Sequence, residues 1–237
     1  MQLTFLGRGS AFNPPEGNTS AYWREDDRLL LLDCGESVFA SLYRTGILNQ
    51  VHEVWIAVSH FHSDHCGSLG TLVLYCSQAL GFKARILLPP DDALYEEEIR
   101  QLLKIYGVPE QICQFLPETD LCGFQEITSF RFVRTQHAPG LNCYSFAFET
   151  PNGGVFYTAD TCVTDMIRTF MNSHPDFEHI YAETVDAQSS PVHLPLHQLA
   201  ALIPPGLRSR VTVMHLGNAE TGDHARALGF GVANVDI

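Results

Sequence analysis

The chain has 237 residues, 45% of them hydrophobic, which is enough for a sizeable packed core and speaks against a disordered chain. Its 27 acidic residues outnumber 14 Lys and Arg, and the net charge of −13 argues against a protein that grips a nucleic-acid backbone. Seven scattered cysteines without a C-x-x-C pair, no apolar run of roughly 18 residues, and a start ("MQLTFLGRGS") without a signal pattern predict a cytoplasmic protein, with neither a disulfide framework nor a membrane partner.

In chain order, "QLTFLG" reads as a strand ending in a glycine turn. "SAYWRE" and "RLLLLDCG" form a hairpin around Asp26 and Asp27. "ESVFASLYRTG" has helical spacing and a glycine stop. "EVWIAVSH" is an apolar strand and "SLGTLVLYCSQALG" a buried helix. "ARILLPP" is a short strand, and "DDALYEEEIRQLLKIYG" an amphipathic helix with acidic residues in its first turn. "ITSFRFVRTQHA" and "CYSFAFETPNGGVFYTAD" supply strands, the latter folded at Asn152–Gly153. "HIYAET" and "RVTVMHL" are further strands, and "LPLHQLAALIP" is a short helix. No linker or repeat interrupts this order. It predicts one α/β domain over residues 1–237, two sheets packed together with helices outside.

"SHFHSDHCGSL", residues 59 to 69, follows directly on a strand. Alternate residues of an extended stretch point the same way, so His60 and His62 can reach one point. Asp64 and His65 follow as the chain bends, and can reach a second point beside it. Imidazole nitrogens and carboxylate oxygens are ligands that suit Zn²⁺, Mn²⁺ or Fe. Cys66, beside the cluster, and Cys162 read as small packed thiols. His52, His174, His179, His197 and His224 read as structural or surface residues.

"HFHSDH" matches the H-x-H-x-D-H signature of the metallo-β-lactamase superfamily, and the chain resembles that superfamily nearly throughout, from "LTFLGRGSAF" onward. The resemblance implies an αββα sandwich and two divalent metal ions, most simply Zn²⁺. His60, His62 and His137 would hold the first, Asp64, His65 and His215 the second, and Asp160 would bridge them. Asp64 would also orient the hydroxide that two such cations share. Taken singly, His137, Asp160 and His215 read as ordinary turn or strand-end residues. In family order, each after a strand, they read as ligands.

"YAETVDAQSSPVHLPLHQLAAL" resembles the tRNA 3′-end-processing phosphodiesterases (tRNase Z). That likeness makes His193, at the head of a short helix, the acid for a departing alkoxide, with Glu183 steadying it. The Ser or Thr usual two positions later is Pro195 here. Gly7, Gly9 and Ser10 have two readings, as backbone amides near a phosphate or as a tight turn. Residues 138–159 leave no room for the RNA-gripping arm of the tRNA-processing enzymes.

The whole chain, with "GSAFNPPEGNTSAYW", "DCGE" and "MHLGN", is similar to the compact anti-Pycsar-type cyclic-nucleotide phosphodiesterases of phages and bacteria. That resemblance implies a homodimer hydrolysing 3′,5′-cyclic nucleotides to nucleoside 5′-monophosphates. The alternatives are another hydrolase on the same fold (RNA-processing, lactonase or thioesterase) and a non-enzymatic nucleotide-binding protein.

Overall fold

A computed structural model describes residues 2–235; Met1, Asp236 and Ile237, the ends of the expected domain range, lie outside the described residues. The first sheet is β1 (Thr4–Gly7), β2 (Ser20–Glu25), β3 (Arg28–Leu32), β4 (Glu53–Ala57), β5 (Ala84–Leu88) and β6 (Cys113–Pro117), adjacent in that order. β1, β2 and β3 pair antiparallel, and β3 to β6 run parallel. Parallel neighbours need a crossover. These are α1 (Val38–Thr45), then α2 (Ser63–Cys66) with α3 (Leu69–Tyr75), then α4 (Ala93–Ile105). Asp92 caps α4 by accepting from the Tyr95 amide at 3.0 Å.

The second sheet mirrors this plan. β7 (Ser129–Thr135), β8 (Cys143–Thr150) and β9 (Gly153–Tyr157) are antiparallel. β10 (His179–Glu183), β11 (Val211–Met214) and β12 (Gly231–Val232) continue parallel beyond β9. The crossovers are α5 (Asp165–Ser173), α6 (Leu196–Leu202) and α7 (Ala219–Ala227).

Period-two alternation assigns the faces. Val155 and Tyr157 of β9, Tyr181 of β10 and Met214 of β11 join the core shared with the first sheet. Phe156, Ile180, Ala182 and Val213 point the other way, against Ile167 and Phe170 of α5 and Leu199 of α6. In β3, Leu29 to Leu32 are all fully buried, each worth roughly 1.5–3 kcal/mol of transfer free energy. A strand buried on both faces reads as such an unbroken apolar run.

The hairpins and most elements lie where the sequence places them. It is silent on four. β6 is five residues ending in proline, and β12 is two. α5 packs only Met166, Ile167 and Phe170 inward. In α7, "AETGDHARA", a glycine and few apolar residues leave no hydrophobic stripe. "SLGTLVLYCSQALG" is not one regular helix: α3 runs into a wider turn over Cys76–Leu80.

No helix among the described residues is long and apolar enough to cross a membrane. None of the seven cysteines is disulfide-bonded. Cys66 is buried against the His62 carbonyl at 3.2 Å, and burial pushes its thiol up to about 12, in keeping with a packed thiol. Cys162 is half-buried.

Candidate metal centre

The carboxyl ends of β3, β4, β9, β10 and β11 converge at one rim of the sandwich. Three non-glycine residues there adopt left-handed backbone: Asp33 (φ 63°), Ala159 (φ 47°) and His215 (φ 56°). Such a conformation costs roughly 1–2 kcal/mol for an L-residue. It turns each chain sharply as its strand ends, and brings His215 itself and Asp160, next to Ala159, to the rim.

After β4 the chain stays extended to His62 (φ −67°, ψ 149°) and then enters the single turn α2. His60 and His62 therefore precede the bend, and Asp64 and His65 lie within it. His60 Nε2 is 3.0 Å from His62 Nδ1, and His137 Nε2 is 3.2 Å from the same atom. His65 Nε2 lies 3.4 Å from Asp64 Oδ2 and 3.3 Å from Asp160 Oδ1. His215 Nε2 lies 3.3 Å from both of those oxygens. Asp160 spans the groups, its Oδ2 being 3.6 Å from His137 Nε2.

These separations are close to the edge of a tetrahedron with metal–ligand bonds of 2.0–2.2 Å, about 3.3–3.6 Å. Among the described residues, His65 Nε2 and Asp160 Oδ1 are buried without a hydrogen-bond partner. Buried donors and acceptors are normally satisfied, so these unpaired atoms, facing one another among further donors, mark places shaped for cations. The donor set is compatible with divalent metal binding, in the groups His60–His62–His137 and Asp64–His65–Asp160–His215.

Hydrogen bonds behind the cluster assign the tautomers. His137 Nδ1–H donates to the Val192 carbonyl at 2.6 Å, leaving Nε2 bare. His65 Nδ1–H donates to Asp33 Oδ2 at 2.8 Å, with the same effect. Asp33 is fully buried, and also accepts from the Ser59 amide at 2.6 Å and the Ser59 hydroxyl at 3.0 Å. His60 Nδ1 lies 3.0 Å from that hydroxyl. Such supporting bonds orient metal-facing imidazoles. Asp33 and Ser59 are absent from the site read in the sequence. The available signal is an aspartate directly after a fully buried leucine run.

Burial sets the charge balance. It pushes Asp64 and Asp160 upward, but the neighbouring rings of His215, whose Nε2 is 3.3 Å from Asp64 Oδ2, and of His65 hold both below the usual carboxylate range. Burial lowers His60, His62 and His137, favouring the neutral imidazole that a metal requires.

His193 lies beside this cluster. Its Nδ1 is 3.1 Å and 3.2 Å from the two oxygens of Glu183, and 3.8 Å from Asp160 Oδ2. Glu183 is fully buried and also accepts from the Thr161 amide at 2.6 Å. Burial opposes charge on His193, but the Glu183 hydrogen bond and charge raise it to about 9. The expected position at the head of a helix is corrected: His193 sits in the loop before α6, its amide held by the Ser190 hydroxyl at 2.9 Å, while Pro195 takes the cap position. The amide-nest reading of Gly9 and Ser10 is corrected too. The Gly9 amide donates to the Gly17 carbonyl at 2.8 Å and the Ser10 amide to Leu216 at 3.0 Å, so neither faces a ligand.

A cavity of about 510 Å³ opens over the cluster, lined by Phe12, Glu36, His62, His137, Asp160 and His193 among others. A larger one, about 700 Å³, runs along α4 and β6, but no histidine lines it. The donor set, not size, identifies the smaller as the site.

Two six-stranded mixed sheets with helices outside, and a histidine–aspartate cluster at one rim, define a metallo-β-lactamase-fold protein. The metallo-β-lactamase-fold protein YhfI from Bacillus subtilis superposes with a TM-score of 0.73 at 20% identity, over 99% of this chain and 95% of that one. Human tRNase Z, short form, gives 0.69 at 16% identity, over 100% and 98%. The sequence pattern of the family "Anti-Pycsar protein Apyc1" matches residues 1–233, and the chain belongs to that family. The Anti-Pycsar protein Apyc1 of Bacillus phage 010DV004 is 28% identical over 238 residues, covering 92% of this chain and 90% of its own.

Proposed function

We propose that the protein is a metal-dependent phosphodiesterase that hydrolyses 3′,5′-cyclic nucleotides to nucleoside 5′-monophosphates, working as a cytoplasmic homodimer. The observation that carries the reading is His193, clamped through Nδ1 on buried Glu183 at the edge of the metal-facing cluster. Its Nε2 remains free to donate a proton at the cavity wall. Hydrolysis of a thioester has little use for such a donor, because a thiolate leaves unaided, whereas a departing sugar alkoxide requires one. Family membership and the relatives, among them a probable metallo-hydrolase YhfI of Bacillus subtilis, support hydrolysis.

His60, His62, His137, Asp64, His65, His215 and Asp160 would hold two divalent cations, most simply Zn²⁺ for a nitrogen-rich set. Bound there, the cations lower the pKa of water toward neutrality and offset charge on the phosphoryl oxygens. Asp64 orients the attacking water by accepting its hydrogen bond. A bond forms from the water oxygen to phosphorus as the bond to O3′ breaks. O3′ leaves with the proton from His193 Nε2, and the 5′ ester stays intact. Glu183 holds the imidazolium ready and stabilises it before transfer. The proton lost by water passes to solvent, and His193 regains one from solvent.

The substrate is small on this reading. Residues between His137 and Asp160 are occupied by the β8–β9 hairpin, and the net charge is −13. Incubation of the metal-loaded protein with cyclic mononucleotides, bis-p-nitrophenyl phosphate, a lactone and a thioester tests the proposal. Nucleoside 5′-monophosphates are the expected products. Turnover confined to the lactone or thioester, or release of 3′-monophosphates, overturns it.

A further inference from the structure

Phe12 is the most exposed large apolar side chain of the described residues, at 96%, and it stands at the cavity over the metal-facing cluster. Left in water it forgoes the transfer free energy that almost every other phenylalanine here gains by burial. A loose loop would be one explanation, but this loop is anchored. The Ser10 amide and the Asn13 side-chain amide both donate to the Leu216 carbonyl, at 3.0 Å and 2.9 Å. The Asn13 amide donates to the Ser10 carbonyl at 3.0 Å, and a single helical turn over Pro14–Glu16 follows directly. The backbone is so close that a Cβ on Gly9 would lie 2.6 Å from the Asn13 carbonyl oxygen. Leu216 is the neighbour of His215, so the position of Phe12 is tied to the metal-facing cluster. Ala138, Val192 and His193 line the same cavity.

We propose that Phe12 is the platform on which the nucleobase of the substrate stacks while the cyclic phosphate sits at the cluster. This rests on the reading of the cavity as a cyclic-nucleotide site. A phenyl face is apolar and flat, here on an anchored backbone, and every base has a π-face to lay on it. It offers no hydrogen bond, so it contributes affinity and orientation without reading a base edge. Phe12 has no group that donates or accepts a proton, so it acts on substrate capture and not on proton transfer.

The test is steady-state kinetics of Phe12→Ala and Phe12→Trp on adenosine 3′,5′-cyclic phosphate and on the base-free methyl riboside 3′,5′-cyclic phosphate, with solution mass measured alongside. Stacking on one aromatic ring predicts that Phe12→Ala raises KM for the nucleotide about 5- to 100-fold with kcat little changed. Phe12→Trp restores KM, and the base-free substrate shows no difference among the three proteins. An unchanged nucleotide KM in Phe12→Ala, or an equal rise for the base-free substrate, overturns the platform. So does a fall in solution mass with kcat and KM shifting together, which makes Phe12 an assembly contact. If the parent cleaves bis-p-nitrophenyl phosphate but neither cyclic compound, the functional reading itself fails, whatever Phe12 does.

Discussion

Replacing His193 by Ala removes a proton donor without touching the seven metal-facing residues. General acid catalysis is typically worth about 10²–10⁴-fold. His193→Ala is expected to slow cyclic-nucleotide hydrolysis by that factor and to leave bis-p-nitrophenyl phosphate nearly unaffected, because nitrophenolate departs without a proton. Metal content by elemental analysis stays the same. An equal loss on both substrates would instead make His193 a phosphate-binding group. Asp33 acts one step further back. It fixes the His65 tautomer through a 2.8 Å bond and supports His60 through Ser59. Asp33→Asn keeps the shape but offers an amide where the imidazole donates. About 10- to 100-fold weaker metal affinity is expected, read by competition with a chelating dye. Undiminished affinity would reduce Asp33 to a packing residue.

The pairing of β10 with β11 carries its own titration. His179 in β10 sends Nε2 to within 2.8 Å of the Thr212 hydroxyl in β11, and its ring lies 4.6 Å from that of Tyr181. Burial, with the Arg210 charge nearby, lowers it to about 4. The folded state therefore holds His179 neutral, while the unfolded chain binds a proton below about pH 6.5. Its contribution is complete above pH 6.5 and declines as pH falls toward 4, by at most about 1.4 kcal/mol per unit. His179→Gln keeps a hydrogen-bonding group and cannot titrate. Melting temperatures of both proteins from pH 7 to 5 are expected to fall less steeply for the variant. Parallel curves would show that His179 is solvated.

At the scale of the molecule, the two sheets act as one frame for the site, since ligands come from the ends of strands in both. Metal loading therefore links the sheets. Elemental analysis after loading is expected to find close to two transition-metal ions per chain, and chelation to abolish activity and lower the melting temperature. At most one ion would remove the two-cation site. With a net charge of −13, structured RNA is expected to bind weakly at physiological salt. Precursor tRNA cut as fast as cyclic nucleotides would contradict the small-substrate reading.

The sequence by itself carried most of the site because its densest part is local. Four donors within six positions, after an apolar strand, need only an extended stretch and one turn to form two groups. His137, Asp160 and His215 were legible through family order and their places at strand ends. Two packed sheets with helices outside followed from the mixture of strands and helices, but β6, α5, α7 and β12 were too short or too polar to show a period, so the sixth strand of each sheet came only with the structure. Tertiary structure alone decided what depends on distant partners. His215 and Asp64 stand 151 positions apart and meet at 3.3 Å. Which oxygen of Asp160 faces which group, how Asp33 locks His65, and where the Gly9 and Ser10 amides spend their hydrogen bonds are likewise set across the sandwich. The reason is physical: spacing along a chain encodes which side a residue faces within its own element, while the partner across a core is chosen by packing, burial and charge in three dimensions.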